Sequence, residues 1–105
     1  MGRRVVVCSD VLNGISRNVD AYIKEGCLVI EGQDQGAYMM SDDGEYEYFY
    51  SFSHDETKRF AVLISDGSLD SFLSRFAEKF GGSHWYFKFI EFCESNDLNF
   101  TGFSC

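Results

Sequence analysis

From Leu69 to Phe80, apolar side chains recur at Leu69, Phe72, Leu73, Phe76, Ala77 and Phe80. This i, i+3, i+4, i+7 spacing lines one face of an α-helix. Gly81-Gly82 ends the pattern, and Ser83 stands ready to cap a further helix. In that helix Trp85, Tyr86, Phe89, Ile90, Phe92 and Cys93 fall within an arc of about 160° at 100° per residue. His84, Lys88, Glu91 and Glu94 take the other side, and Phe87 is the one ring outside the arc. Asn96-Asp97 breaks the helix. Upstream, Ser53 and Glu56 make an S-x-x-E capping-box pattern. It opens a helix that carries Phe60, Leu63 and Ile64 and stops at Asp66-Gly67.

The first half of the chain has period two instead. "RRVVVCS" is a short β-branched run ending at Cys8-Ser9. "NVDAYIKEGCLVIEG" sets Val19, Ala21 and Ile23 against Asp20, Tyr22 and Lys24, turns at Glu25-Gly26, and resumes with Leu28 and Ile30 on one face. That is a hairpin pattern. "GQDQG", 32 to 36, reads as a loop or bulge framed by glycines. Asp42-Asp43-Gly44 reads as a turn before a strand from Glu45 to about Phe52. Tyr46, Tyr48, Tyr50 and Phe52 share one face of that strand; Glu45, Glu47, Phe49 and Ser51 share the other. Three Phe-rich helices need an apolar sheet to cover, so the even-numbered rings are expected as its inner wall, with Tyr46 nearest water. "LNFTGFS" reads as a closing strand. The pattern predicts an α+β fold: a mainly antiparallel sheet of N-terminal strands plus a C-terminal strand, with about three helices on one face. Without linker, repeat or proline, residues 1–105 read as a single domain.

Composition adds two things. Eleven Phe, six Tyr and one Trp supply much buried area for 105 residues. The net charge of −8 repels polyanions, whose affinity for proteins comes mostly from Lys and Arg displacing counterions. The same field draws in a basic protein. The acids are also concentrated: between Lys24 and Lys58 stand Glu25, Glu31, Asp34, Asp42, Asp43, Glu45, Glu47, Asp55 and Glu56, with no Lys or Arg. Cysteines at 8, 27, 93 and 105 form no CxxC, which suits a reducing cytosol better than a secreted disulfide scaffold. The opening "MGRRVVVCSD" is too short for a signal sequence, and "FAVLI" is too short to cross a membrane. A soluble cytoplasmic protein is expected.

Catalytic chemistry has few footholds. Cys93 and His84, nine residues apart on one helix, point 180° apart and cannot pair. Cys8 resembles a nucleophile at the end of a strand, yet Gly14 stands where a phosphatase-type loop would need Arg, and a thiol requires an activating partner. Asp55 and Glu56 answer the positive end of a helix without needing a metal. The other acids miss EF-hand spacing, and no GxGxxG, Walker or HExxH pattern occurs. No catalytic residue, metal or cofactor is expected. Two rivals stay open: a small hydrolase using Cys8 or His54, and a single-stranded nucleic-acid binder stacking bases on the tyrosines. The second lacks the basic rim such binders use.

"LVIEGQDQG", "EYEYFYSF", "SRFAEKF" and "FIEFCESNDLNFTGFS", in that order over roughly residues 26 to 104, resemble a family of small acidic bacterial proteins of largely uncharacterised activity. Some of these are similar to immunity proteins, intracellular inhibitors of a cognate toxin. The resemblance implies a non-enzymatic role and identifies no catalytic residue. Charge and resemblance converge on an interaction protein that binds a basic partner through an acidic surface. Asp34, Asp42, Asp43, Glu45 and Glu47 would steer the encounter, and Tyr46 would anchor it.

Overall fold

The computed structural model describes residues 4–12, 14–36 and 45–104, apart from the side chains of Leu12, Glu45, Tyr46, Phe103 and Ser104. The elements run β1 (Arg4–Leu12), β2 (Ile15–Lys24), β3 (Cys27–Gln35), β4 (Glu45–Ser51), α1 (His54–Ile64), α2 (Leu69–Phe80), α3 (Trp85–Ser95) and β5 (Thr101–Ser104). The strands form one five-stranded sheet in the order β1-β2-β3-β4-β5, with every neighbouring pair antiparallel. The fold is α+β, as the pattern predicts. Among the described residues no helix is long and apolar enough to cross a membrane.

Local chemistry explains the turns. Between β2 and β3, Glu25 and Gly26 both have positive φ (54° and 78°). That is the signature of a primed two-residue turn, whose twist matches the strands it joins. Val19 and Ala21 of β2, Leu28 and Ile30 of β3, and Phe52 after β4 are buried on one side of the sheet, against Phe60, Phe72, Phe76, Phe80, Trp85 and Phe89 from the helices. Tyr50 meets Trp85, Tyr86 and Phe89, and Phe52 meets Phe60 and Phe89, at ring-centroid distances of 5.4–6.3 Å. Tyr48, Tyr50 and Phe52 thus line the inner wall. Among the described residues no helix covers the opposite face of the sheet, and there Glu47 and Val6 are exposed.

Several local expectations are corrected. "GQDQG" is not a loop: Gly32 to Gln35 continue β3 and pair with both β2 and β4. Cys8 does not end its strand, because β1 runs on to Leu12 and pairs with a β2 that begins at Ile15. A register shift between Val6 and Cys8 marks a bulge in β1, and the Val7 carbonyl there accepts from Gly82 N–H at 2.9 Å. The bulge thereby seats the α2–α3 connection on the sheet.

α1 is rotated from the expected face. Thr57, Phe60 and Ala61 are buried while Leu63 is exposed, because Leu28 N–H donates to the buried Thr57 hydroxyl at 2.9 Å. Ser53 caps α1 by accepting from Glu56 N–H. Glu56 does not turn back to complete the box; its carboxylate accepts from Arg59 and from Asn99 N–H, both at 2.7 Å. Ser83 does not cap α3 either, since His84 holds that place and the Ser83 hydroxyl donates to Asp10.

Candidate functional site

Side chains on successive strands point to the same face every second residue. On the helix-covered face, β2 therefore presents Ile23, Ala21, Val19 and then Arg17, while β3 presents Leu28, Ile30, Gly32 and then Asp34. Here the apolar wall gives way to polar groups. Asp10 of β1 pairs in register with Arg17, and Tyr48 of β4 lies across Gly32.

Arg17 grips Asp10 through two bonds, Nε to Oδ1 at 2.9 Å and Nη2 to Oδ2 at 2.8 Å, the planar fork that favours Arg in such pairs. Its Nη2 also donates to the Ser83 carbonyl at 3.2 Å. The Arg17 and Ser83 hydrogen bonds hold the Asp10 carboxyl well below the usual carboxylate range. Asp34 is displaced the other way: burial raises its pKa, and the bond from the Tyr48 hydroxyl, at 3.4 Å, only partly offsets that. Burial, followed by the Asp34 charge, pushes the Tyr48 phenol upward.

Arg17, Asp34, Tyr48, Tyr50, Trp85 and Tyr86 line an open recess of about 190 Å³. Its rings are mutually tilted: Tyr48 and Tyr50 lie 5.9 Å apart at 53°, Tyr50 and Tyr86 5.9 Å apart at 34°. Trp85 is buried, whereas Tyr86 is 42% exposed. The arrangement is a small aromatic-walled recess with a half-buried carboxylate at its sheet side.

Of the residues expected to bind a partner, Asp34 is in this recess. Glu47 is exposed on the opposite face of the sheet, in register with Gln33, so the two do not share a surface. The backbones of Glu45 and Tyr46 pair with Gln35 and Asp34; their side chains, and Asp42 and Asp43 altogether, lie outside the described residues. Cys8 is buried, and its thiol is raised by burial and by Asp10. Burial pushes the Cys93 thiol up to about 12. His54 is exposed at the start of α1, its ring against Gly26. Among the described residues, no three His, Cys, Asp or Glu side chains are grouped to hold a metal ion.

The sequence reading missed Arg17, Asp10, Tyr48, Ser83, Trp85 and Tyr86 as one site. One signal was available. Extending the Val19, Ala21, Ile23 parity back by one step places Arg17 on the covered face, where a guanidinium requires a carboxylate partner.

No protein-family description, curated protein or solved structure matches the chain.

The Asp10–Arg17 pair has a pH signature. A carboxyl whose folded pKa lies below its unfolded value contributes stability that is complete above the ordinary range and is lost as pH falls toward the folded value. Arg17→Met is therefore expected to lower the urea midpoint at pH 7, with the gap to wild type narrowing below about pH 4. A gap independent of pH would mean that packing of the Arg17 stem, not the ion pair, carries the effect.

Proposed function

We propose that the chain is a non-enzymatic, cytoplasmic interaction protein of the toxin-immunity type, which inhibits a basic protein partner by docking acids against it. One observation carries this reading: β3 and β4, adjacent within the sheet, bear carboxylates and no Lys or Arg along their whole length. Glu47 projects from the uncovered face, and Asp34 projects into the aromatic recess at the same end of the strand pair. Arg4 offsets charge farther along the uncovered face, where it meets Asp20 at 3.4 Å and Glu31 at 3.5 Å. The β3–β4 end is thus supported as the more negative region, where long-range attraction favours encounter with a cationic surface.

The partner is identified by cross-linking in cells and its Kd then measured with purified proteins at low and high salt. Reversing charge at Asp42, Asp43, Glu45 and Glu47 to Lys is expected to weaken binding about tenfold or more and to flatten its salt dependence. An unchanged Kd with an unchanged salt slope would remove this end of the sheet from the interface.

A further inference from the structure

We infer that the recess between β2–β4 and the start of α3 is a cage for one guanidinium group, presented by an arginine side chain of a basic protein partner. The inference rests on the interaction reading above and names the group that the recess takes.

Size comes first. Sites for drug-sized ligands run to roughly 300–1,000 Å³, whereas this one is about 190 Å³, suited to a single side-chain head. Its walls come next. Tyr48, Tyr50 and Tyr86 border the space, and a cation within about 6 Å of such a ring is drawn to its electron-rich face. A planar guanidinium can stack on those rings while pairing edge-on with a carboxylate, which a lysine ammonium cannot do.

Charge decides the sign of the ligand. Arg17 is positive, but both oxygens of Asp10 already bind it. Asp34 therefore leaves the three-residue group with net negative charge. The N-terminal end of α3 opposes a cation with a partial charge of roughly half a unit, less than the full unit on Asp34. The Tyr48 hydroxyl bond to Asp34, at 3.4 Å, is far longer than the usual 2.7–2.8 Å or so for O–H···O, so a better donor can replace it. Burial also disfavours the Asp34 charge, and an incoming cation relieves that cost. At the mouth, Tyr86 is 42% exposed, an aromatic contact of the kind a protein partner covers.

Trp85 is the chain's one tryptophan, so its emission reports on the recess directly. Titration with N-acetylarginine amide is expected to give a saturable change with a millimolar Kd. N-acetylcitrulline amide, of the same shape without charge, should give none, and the lysine analogue should bind more weakly. Asp34→Asn should weaken the arginine response about tenfold or more, with the folded state confirmed by circular dichroism and amide shifts. An equal citrulline response, an unchanged affinity in Asp34→Asn, or tighter binding of the lysine analogue would each overturn the guanidinium assignment. Tighter binding of inorganic phosphate would do the same by making Arg17 the binding group. If wild type shows no arginine response while charge reversal at residues 42, 43, 45 and 47 still weakens the partner, the cage fails and the interaction reading stands. The opposite pair of results sinks that reading and leaves the cage.

Discussion

Phe89→Ala is expected to lower the unfolding free energy by roughly 3–5 kcal/mol, the range for removing a buried ring from a packed core. Phe89 is fully buried and joins parts of the fold far apart in sequence. Its ring meets Tyr50 and Phe52 beside the sheet, Phe76 and Phe80 on α2, and Phe100 before β5. No single neighbour can move into the space without leaving another contact, so the cavity term adds to the lost transfer term. Domains of this size have about 5–15 kcal/mol in total, so the variant is left with a small margin or none. Phe87→Ala is the internal control. That ring is 74% exposed on the same helix, and its removal should change stability by no more than about 0.5 kcal/mol. Urea denaturation of both variants tests the rotation of α3. Comparable losses would mean the helix packs through a different face.

That contrast was legible beforehand. Spacing alone placed Phe87 outside the apolar arc of α3 and placed Tyr48, Tyr50 and Phe52 together on the covered face of the sheet, because helix and strand periods follow from backbone geometry. The turn at Glu25-Gly26 was legible for a similar reason, since positive φ at both positions restricts which residues suit it. Other features depend on partners distant in sequence. Glu56 suits a capping box, yet it meets Asn99, forty-three residues away. α1 turns Leu63 outward because a buried hydroxyl, Thr57, meets Leu28 N–H, and apolar periodicity does not register a buried threonine. Both strands of the β1–β2 pair extend farther toward their shared turn than the pattern indicates, β1 to Leu12 and β2 from Ile15, which hid the Asp10–Arg17 register and with it most of the candidate site.

Asp34 illustrates how stability and recognition can pull apart. Its charged form is disfavoured by burial, so it detracts from stability as pH rises through its folded pKa, the reverse of Asp10. A group kept at such a cost is a functional-site candidate on physical grounds. If Asp34→Asn stabilises the fold at neutral pH while weakening arginine binding, the carboxylate is serving the ligand rather than the core.

Gly32→Ala is expected to destabilise by about 1–3 kcal/mol, the usual cost of overfilling a packed site. A Cβ at Gly32 would lie 2.1 Å from one ring carbon of Tyr48 and 2.6 Å from its hydroxyl oxygen. Two effects compete. Replacing glycine restricts the unfolded chain and stabilises by roughly 0.4–1 kcal/mol where the backbone tolerates it, and Gly32 does not have positive φ. Against this, the half-buried Tyr48 ring must swing away from β3, giving up its contact with Tyr50 and its bond to Asp34. The steric term is the larger, so the net effect is loss. The argument predicts a reversal of sign: in a Tyr48→Ala background the obstruction is gone, and the same glycine substitution should stabilise by about 0.4–1 kcal/mol. A double-mutant cycle in urea measures both legs. Destabilisation of equal size in both backgrounds would place the cost in the β3 backbone and dissolve the account of Gly32 as the floor on which Tyr48 rests.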